Sequence, residues 1–289
     1  MAHDALEIDY LPARKGASMV LGLTGWMNGG EVSTGTVEYL MERFDAQPFA
    51  EINPSRFYIY NFPGGMEISS LFRPYGEIQD GLVVDYDEPV NRFYVAEEQN
   101  LVFFEGKEPN LRWPDFADCV FSIVEQCGVN QIIFVGSVAG VVPHTRAPRL
   151  YGSVSDDKFR SVLDNLGLEP SNYEGPASIT TYLTALAGER GIQMTTVVAE
   201  IPAYVQDRNV KCIEAVTRKL AAMLGLKLDL DALQEEATGF ERRLWEMMEA
   251  KPELTALVRK MEEAYDKEYT GSQMDELKSW FEKQNIRLN

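Results

Sequence analysis

The sequence predicts an α/β fold built on a largely parallel sheet that helices cover on both faces. Three observations carry that prediction. β-Rich runs are separated in the second half by helical patterns, an apolar run ends in a glycine-rich turn before a helix, and the C-terminal stretch is written in helical periodicity. The β-rich runs are "MVLGL", "RFYIYNF", "GLVVDY", "NRFYVAE", "NLVFFEG", "QIIFVGS" and "MTTVVAE". Parallel strands need crossovers long enough to hold a helix, so strand and helix alternation points to parallel pairing. In the first helix Val37, Leu40, Met41 and Phe44 fall at i, i+3, i+4 and i+7, one apolar stripe for the sheet. Residues from about 66 to 104 read as consecutive strands with Pro and Gly turns, which predicts a hairpin insertion.

After Leu226 the periodicity changes. Leu230, Leu233, Ala237, Phe240, Leu244 and Met247 step by threes and fours, an amphipathic helix with a heptad-like seam that Pro252 should end or kink. A second stripe runs through Leu254, Val258, Met261 and Tyr265, followed by Gly271, a capping-box candidate in Ser272 and Asp275, and then Leu277 and Phe281. The expected organisation is a sheet domain over residues 1–226 and a helical appendage over 227–289.

Composition narrows the function classes. The chain has 289 residues, of which 45% are hydrophobic, enough for a sizeable core. Its 45 acidic residues against 27 basic ones give a net charge of −18, which disfavours nucleic acid or an anionic membrane as a partner. Cys119, Cys127 and Cys212 are odd in number and lack CxxC spacing, so the expected compartment is a reducing cytoplasm rather than an oxidising one. "MAHDALEIDY" has no export-signal pattern, and the longest nearly apolar run, "IIFVGSVAGVV", is far short of the roughly 20 residues a spanning helix needs. With two histidines in the chain a histidine-rich metal centre is ruled out. The acidic run of Asp85, Asp87 and Glu88 reads as a solvated turn, and no metal or cofactor is expected.

The turn "GWMNGGE" (25–31) lies where many α/β proteins hold a phosphate. Gly25 and Gly30 have P-loop spacing, but Glu31 and Val32 stand where Lys and Ser or Thr would be needed. A carboxylate at the helix start would also repel an incoming phosphate. Simple turn geometry is the favoured reading, with Gly25, Trp26, Asn28, Gly29 and Gly30 left as candidates to line a site for a small or neutral ligand at the strand ends.

The most polar stretch follows the strand "QIIFV". In "GSVAGVVPHTRAPRLYGSVSD" (136–156), His144 is a candidate acid or base, Arg146 a candidate anion clamp, and Thr145 and Arg149 candidate ligand contacts. The competing reading pairs the arginines with carboxylates across a loop or subunit contact. In "NYEGPASI" (172–179), Gly175 and Pro176 are expected to open a helix with Ser178 in its first turn, and Glu174 is a candidate acid or base. Glu200, ending "MTTVVAE", is a further candidate. No nucleophile elbow GxSxG occurs, since "GSVAG" places Ser137 one position early.

Several stretches in order resemble the proteasome assembly chaperone 2 family, in its bacterial branch: "GWMNGGEVSTGTVEYL" (25–40), "GKEPNLRW" (106–113), "PHTRAPRLYGSVSD" (143–156), "YEGPASITTYL" (173–183) and "IPAYV" (201–205). The helical "LDLDALQEEATGFERRL" is similar to the acidic tail of bacterial members. The resemblance implies a three-layer α/β/α sandwich similar to the purine nucleoside phosphorylase-like fold, a helical C-terminal addition and homo-oligomers, for which a trimer is the expectation. Relatives that give the family its name chaperone proteasome α-subunit assembly, and bacterial members have been labelled ATP-grasp-like or carboxylate-amine ligase-like.

Two functional hypotheses follow. The leading one is an oligomeric assembly or scaffolding protein that docks another protein through its C-terminal helices. The rival is an enzyme acting on a nucleoside or other N-glycoside, in which Arg146 binds an anion and Glu174 or Glu200 serves ribose or leaving base. Convergence of Trp26, Asn28, His144, Arg146 and Glu174 in one pocket would favour the rival. ATP-dependent ligation ranks third, because no glycine loop carries the lysines it needs.

Overall fold

The computed structural model describes residues 4–13, 15–70, 72–205, 207–249 and 251–267. In chain order the elements are β1 (Leu6–Ile8), β2 (Ser18–Thr24), α1 (Val32–Arg43), β3 (Gln47–Ile52), α2 (Met66–Ser70), β4 (Tyr75–Gln79), β5 (Leu82–Asp87), β6 (Arg92–Ala96), β7 (Leu101–Lys107) and α3 (Trp113–Cys127). They continue with β8 (Gln131–Gly140), β9 (Leu150–Val154), α4 (Ser161–Leu166), β10 (Glu169–Pro170), α5 (Ile179–Glu189), β11 (Gln193–Pro202), α6 (Val210–Leu224), α7 (Asp231–Glu249) and α8 (Pro252–Lys267).

One nine-stranded sheet has the order β1-β3-β6-β7-β2-β8-β11-β9-β10. Its centre, β7-β2-β8-β11, is parallel, with Ser18 opposite both Leu101 and Gln131, and Gln193 opposite Gln131. Antiparallel strands flank this centre on both sides, so the sheet is mixed outside its middle. The central strands bury alternate residues in two separate cores. Met19, Leu21, Phe104, Ile132 and Phe134 face α3 and α5, while Val20, Phe103, Ile133, Val135 and Val197 face α1 and α6. This is the three-layer α/β/α sandwich that the sequence predicts.

Two strand assignments need correction. "RFYIYNF" is not a strand: after a single 3-10 turn at Pro54–Arg56 the Phe57 carbonyl accepts from the amides of Asn110 and Leu111, so a loop rather than a neighbouring strand takes its hydrogen bonds. Of the segment 66–104, only β4 and β5 stand apart, as a two-stranded sheet. β6 and β7 belong to the main sheet, because Phe93, Val95, Val102 and Phe104 have a core to enter.

At the C-terminal end α7 lays Leu233, Ala237 and Phe240 against the α1–α6 layer. A break before Pro252 lets α8 turn onto the carboxyl ends of β8 and β11, where Leu257, Met261 and Ala264 pack on Val141 and Ala203. The apolar seam therefore shifts from the expected Leu254 to Leu257. The expected features at Gly271, Ser272, Asp275, Leu277 and Phe281 lie outside the described residues.

The α3 core is held by aromatic packing: Phe116 meets Phe57 edge-on at 5.4 Å and Phe104 at 6.0 Å. Phe116→Ala is expected to cost about 3–5 kcal/mol in equilibrium denaturation, with an unchanged m-value.

Candidate functional site

Open α/β sheets bind ligands beyond the carboxyl ends of their strands. Here that rim is formed by the turn after β2, the loop after β8 and the start of α5. Each part is held by groups of the chain itself.

The glycine turn is packed from every side. Gly25 has φ +129°, and a Cβ there would come 2.8 Å from the Cβ of Glu108. The Glu108 carboxylate accepts from the Trp26 amide through Oε2 and from the Ile179 amide, at the first position of α5, through Oε1, both at 3.0 Å. A helix N-terminus that could have taken an external anion thus already holds an internal one. Asn28 Oδ1 accepts from the Thr34 amide, in the first turn of α1, at 3.1 Å. The Gly29 carbonyl accepts from the Ser137 hydroxyl at 2.6 Å, and Gly30, at φ +57°, accepts from the Asn209 amide at 2.7 Å. Glu31, at the cap of α1, bonds Arg208, which also reaches Glu38.

The loop after β8 is sealed by α8. Arg146 makes a two-pronged pair with Asp266, Nε to Oδ1 at 2.8 Å and Nη2 to Oδ2 at 2.7 Å, and its Nη1 lies 3.2 Å from Glu262 Oε1. Thr145 donates to the same Glu262 oxygen at 2.5 Å. The Arg149 guanidinium stacks 4.4 Å from the centre of the Tyr265 ring, whose hydroxyl donates to the Ala147 carbonyl. Arg146 is therefore an intramolecular clamp on its own C-terminal helix.

His144 lies beneath this seal, 3% exposed. Its amide donates to the Tyr204 hydroxyl at 2.8 Å, and Nδ1 lies 2.7 Å from the same oxygen. Nε2 is buried with no partner among the described residues. Burial pushes the imidazole pKa below its ordinary value; Glu241 and Glu262 oppose that shift and Lys211 adds to it. His144, Arg146 and Glu200 line a cavity of only about 10 Å³, room for about one water. Burial raises the Glu200 carboxyl pKa, Arg149 and the Tyr151 hydroxyl pull it back, and its side chain lies so close to Gly140 that a Cβ there would clash.

A larger cavity, about 460 Å³, opens between α5 and the face of β8, β11 and β9. Its walls include Trp26, Tyr151, Tyr173, Ser178, Thr181 and Val198, and among the described residues no Asp, Glu, Lys, Arg or His lines it. Ser178 is the cap of α5 rather than a first-turn residue, since the helix begins at Ile179. Gly175 and Glu174 lie in the exposed loop ahead of it and line neither cavity.

The candidates thus divide. His144, Arg146 and Glu200 share one small sealed space, Trp26 and Ser178 share the open groove, and Gly25, Asn28, Gly29 and Gly30 are consumed in backbone packing. Glu108 escaped the sequence reading, since within "GKEPNLRW" it is one more acid in an acidic chain. Its single signal was its place one residue beyond a strand end. Among the described residues no group of three or more His, Cys, Asp or Glu side chains is placed to hold a metal ion, and no helix is long and apolar enough to cross a membrane.

Among curated proteins none matches the chain. Among solved structures, a protein of unknown function from Corynebacterium glutamicum is similar with TM-score 0.77 and 23% identity, over 91% of this chain and 98% of that one. A PAC2 family protein from Streptomyces avermitilis gives 0.70 and 24%, over 84% and 99%. A proteasome-assembly chaperone homologue from Mycobacterium tuberculosis gives 0.72 and 25%, over 83% and 99%. The model of the PAC2 family matches residues 22–248, and the chain belongs to that family.

Proposed function

We propose that this protein is a non-enzymatic assembly or scaffolding factor that self-associates and docks another protein in the cytoplasm. The observation that carries the reading is that, at the rim where α/β enzymes bind substrate, the amides of Trp26 and Ile179 are taken by the chain's own Glu108 carboxylate and the cationic loop is covered by α8 through Arg146, which leaves an open groove without charged walls among the described residues. The likeness to a chain described as a proteasome-assembly chaperone homologue supports the same class. In this reading residues 1–226 are the body and 227–289 the appendage that closes it. On α7 the side of Met247, 58% exposed, is offered to the partner. A trimer is the stoichiometry taken for the assembly.

The enzyme reading loses its main residue, since Arg146 is spent on Asp266 and Glu262 and does not share a pocket with Trp26 or Glu174. A melting-temperature screen against nucleosides, nucleotides, inorganic phosphate and small carboxylates is expected to move the wild type by nothing measurable. Arg146→Ala is expected to melt a little lower and to speed amide exchange in Pro252–Lys267 without gaining any ligand response. A ligand that stabilises the wild type and loses its effect in Arg146→Ala reverses this conclusion.

Acid should loosen the same seal. The folded pKa of His144 lies below its ordinary 6.5, so the unfolded chain binds the proton more readily. That contribution is whole above about pH 6.5 and declines as the pH falls below it. Arg146 holds the Asp266 carboxyl below its ordinary 3.8, so the ion pair is lost only at lower pH still. Melting temperature followed from about pH 8 down to about 2.5 is expected to fall first below about 6.5 and again below about 3.8. His144→Gln should flatten that first decline and leave the later one in place.

A further inference from the structure

We infer that copies of this chain join head to tail, with the uncharged face of the β4–β5 hairpin of one copy seated in the uncharged groove between α5 and β8-β11-β9 of the next. The inference rests on the self-association in the reading above and names the two surfaces that make it.

β4 and β5 pair only with each other among the described strands, and an isolated two-stranded sheet is at best marginal in water. A register shift between Glu77 and Ile78 sorts its side chains. Ile78, Val83 and Tyr86 stand on one face with Gly76, and no charge lies among them; Val84 is the unpaired extra residue of β5. Glu77, Asp85 and Asp87 stand on the other face, beside Tyr75, Gln79 and Leu82. Ile78 is 69% exposed, Val83 70% and Tyr86 54%. Apolar exposure on this scale marks a surface that is covered in the working protein.

What can cover it is constrained by charge. Two copies that each carry −18 repel wherever their ordinary surfaces meet, so an apposition between them needs patches without carboxylates. The hairpin face is one, and the groove of about 460 Å³ is the other. The groove offers Trp26, Tyr151 and Val198 to the apolar side chains, while the hydroxyls of Ser171 and Thr181 can take the unpaired backbone groups of a hairpin edge. Within one chain the face is bare and the groove open, so they meet only between copies. Because the two patches differ, the contact is heterologous and closes into a ring when the rotation permits.

The test is the mass of the full-length protein by size-exclusion chromatography with light scattering. It compares wild type, Val83→Glu in the hairpin, Ala185→Arg in the groove, and the two variants mixed. Both positions are exposed in the single chain, so unchanged melting curves will certify folding. The wild type is expected to run as an oligomer and each variant alone as a 32.6 kDa monomer. The mixture should form a dimer, since it holds one intact hairpin and one intact groove per pair. If the wild type assembles and either variant assembles equally well, or the mixture stays monomeric, the hairpin–groove pairing is overturned while self-association stands. A monomeric wild type overturns both, and leaves the bare hairpin to a different protein.

Discussion

The carboxylate of Glu108 is the point on which the strand-end architecture depends. It follows β7 directly, its amide donating to the Thr24 carbonyl at the end of β2, and its two oxygens reach the turn after β2 and the first amide of α5. One residue thus ties together two parallel strands through its amide, and a glycine turn and a helix of the opposite layer through its carboxylate. A charge-assisted bond to a backbone amide contributes about 1.5–3 kcal/mol, and a bridging carboxylate makes two at once. The positive φ at Gly25 is the local counterpart, because a side chain there would collide with Glu108.

That tie also decides what the rim can do. A doubly wound sheet offers helix N-termini and unpaired amides beyond its strand ends, and most relatives of this architecture in the wider α/β class use them for ligands. Here the amides of Trp26, Ile179 and Thr34 are already taken, and α8 brings Glu262 and Asp266 onto the one strongly cationic loop. An acidic chain has neutralised its own anion sites. The surfaces left over are uncharged or apolar, which suits contact between proteins better than chemistry on a small charged substrate.

The sheet was legible because its central strands are buried on both faces and their apolar runs are continuous. The helical stripes of α1 and, as far as Phe240, of α7 were legible for the matching reason, a single buried face; near the end of α7 Met248 is buried in place of the expected Met247. "RFYIYNF" misled because Tyr, Ile and Phe signal a half-buried extended chain without saying what its amides bond to, and here they bond to a loop. "GLVVDY" and "NRFYVAE" look alike in sequence, yet one is bare hairpin and the other core strand; only the neighbours in space separate them. The partners of Arg146 lie 116 and 120 residues further along the chain, a distance no local pattern reports. Glu108 was hidden by the abundance of acids around it.

The central claim is that the anion-binding amides of the rim are taken from within by Glu108, and residue-resolved amide exchange of the Trp26 and Ile179 amides tests it most directly, in wild type and Glu108→Ala, with and without inorganic phosphate. The account predicts that both amides are protected in the wild type and indifferent to phosphate. In the variant both should exchange about 10- to 100-fold faster, the loss of roughly 1.5–3 kcal/mol. Protection that survives the substitution, or a phosphate effect on those two amides in the wild type, would contradict it.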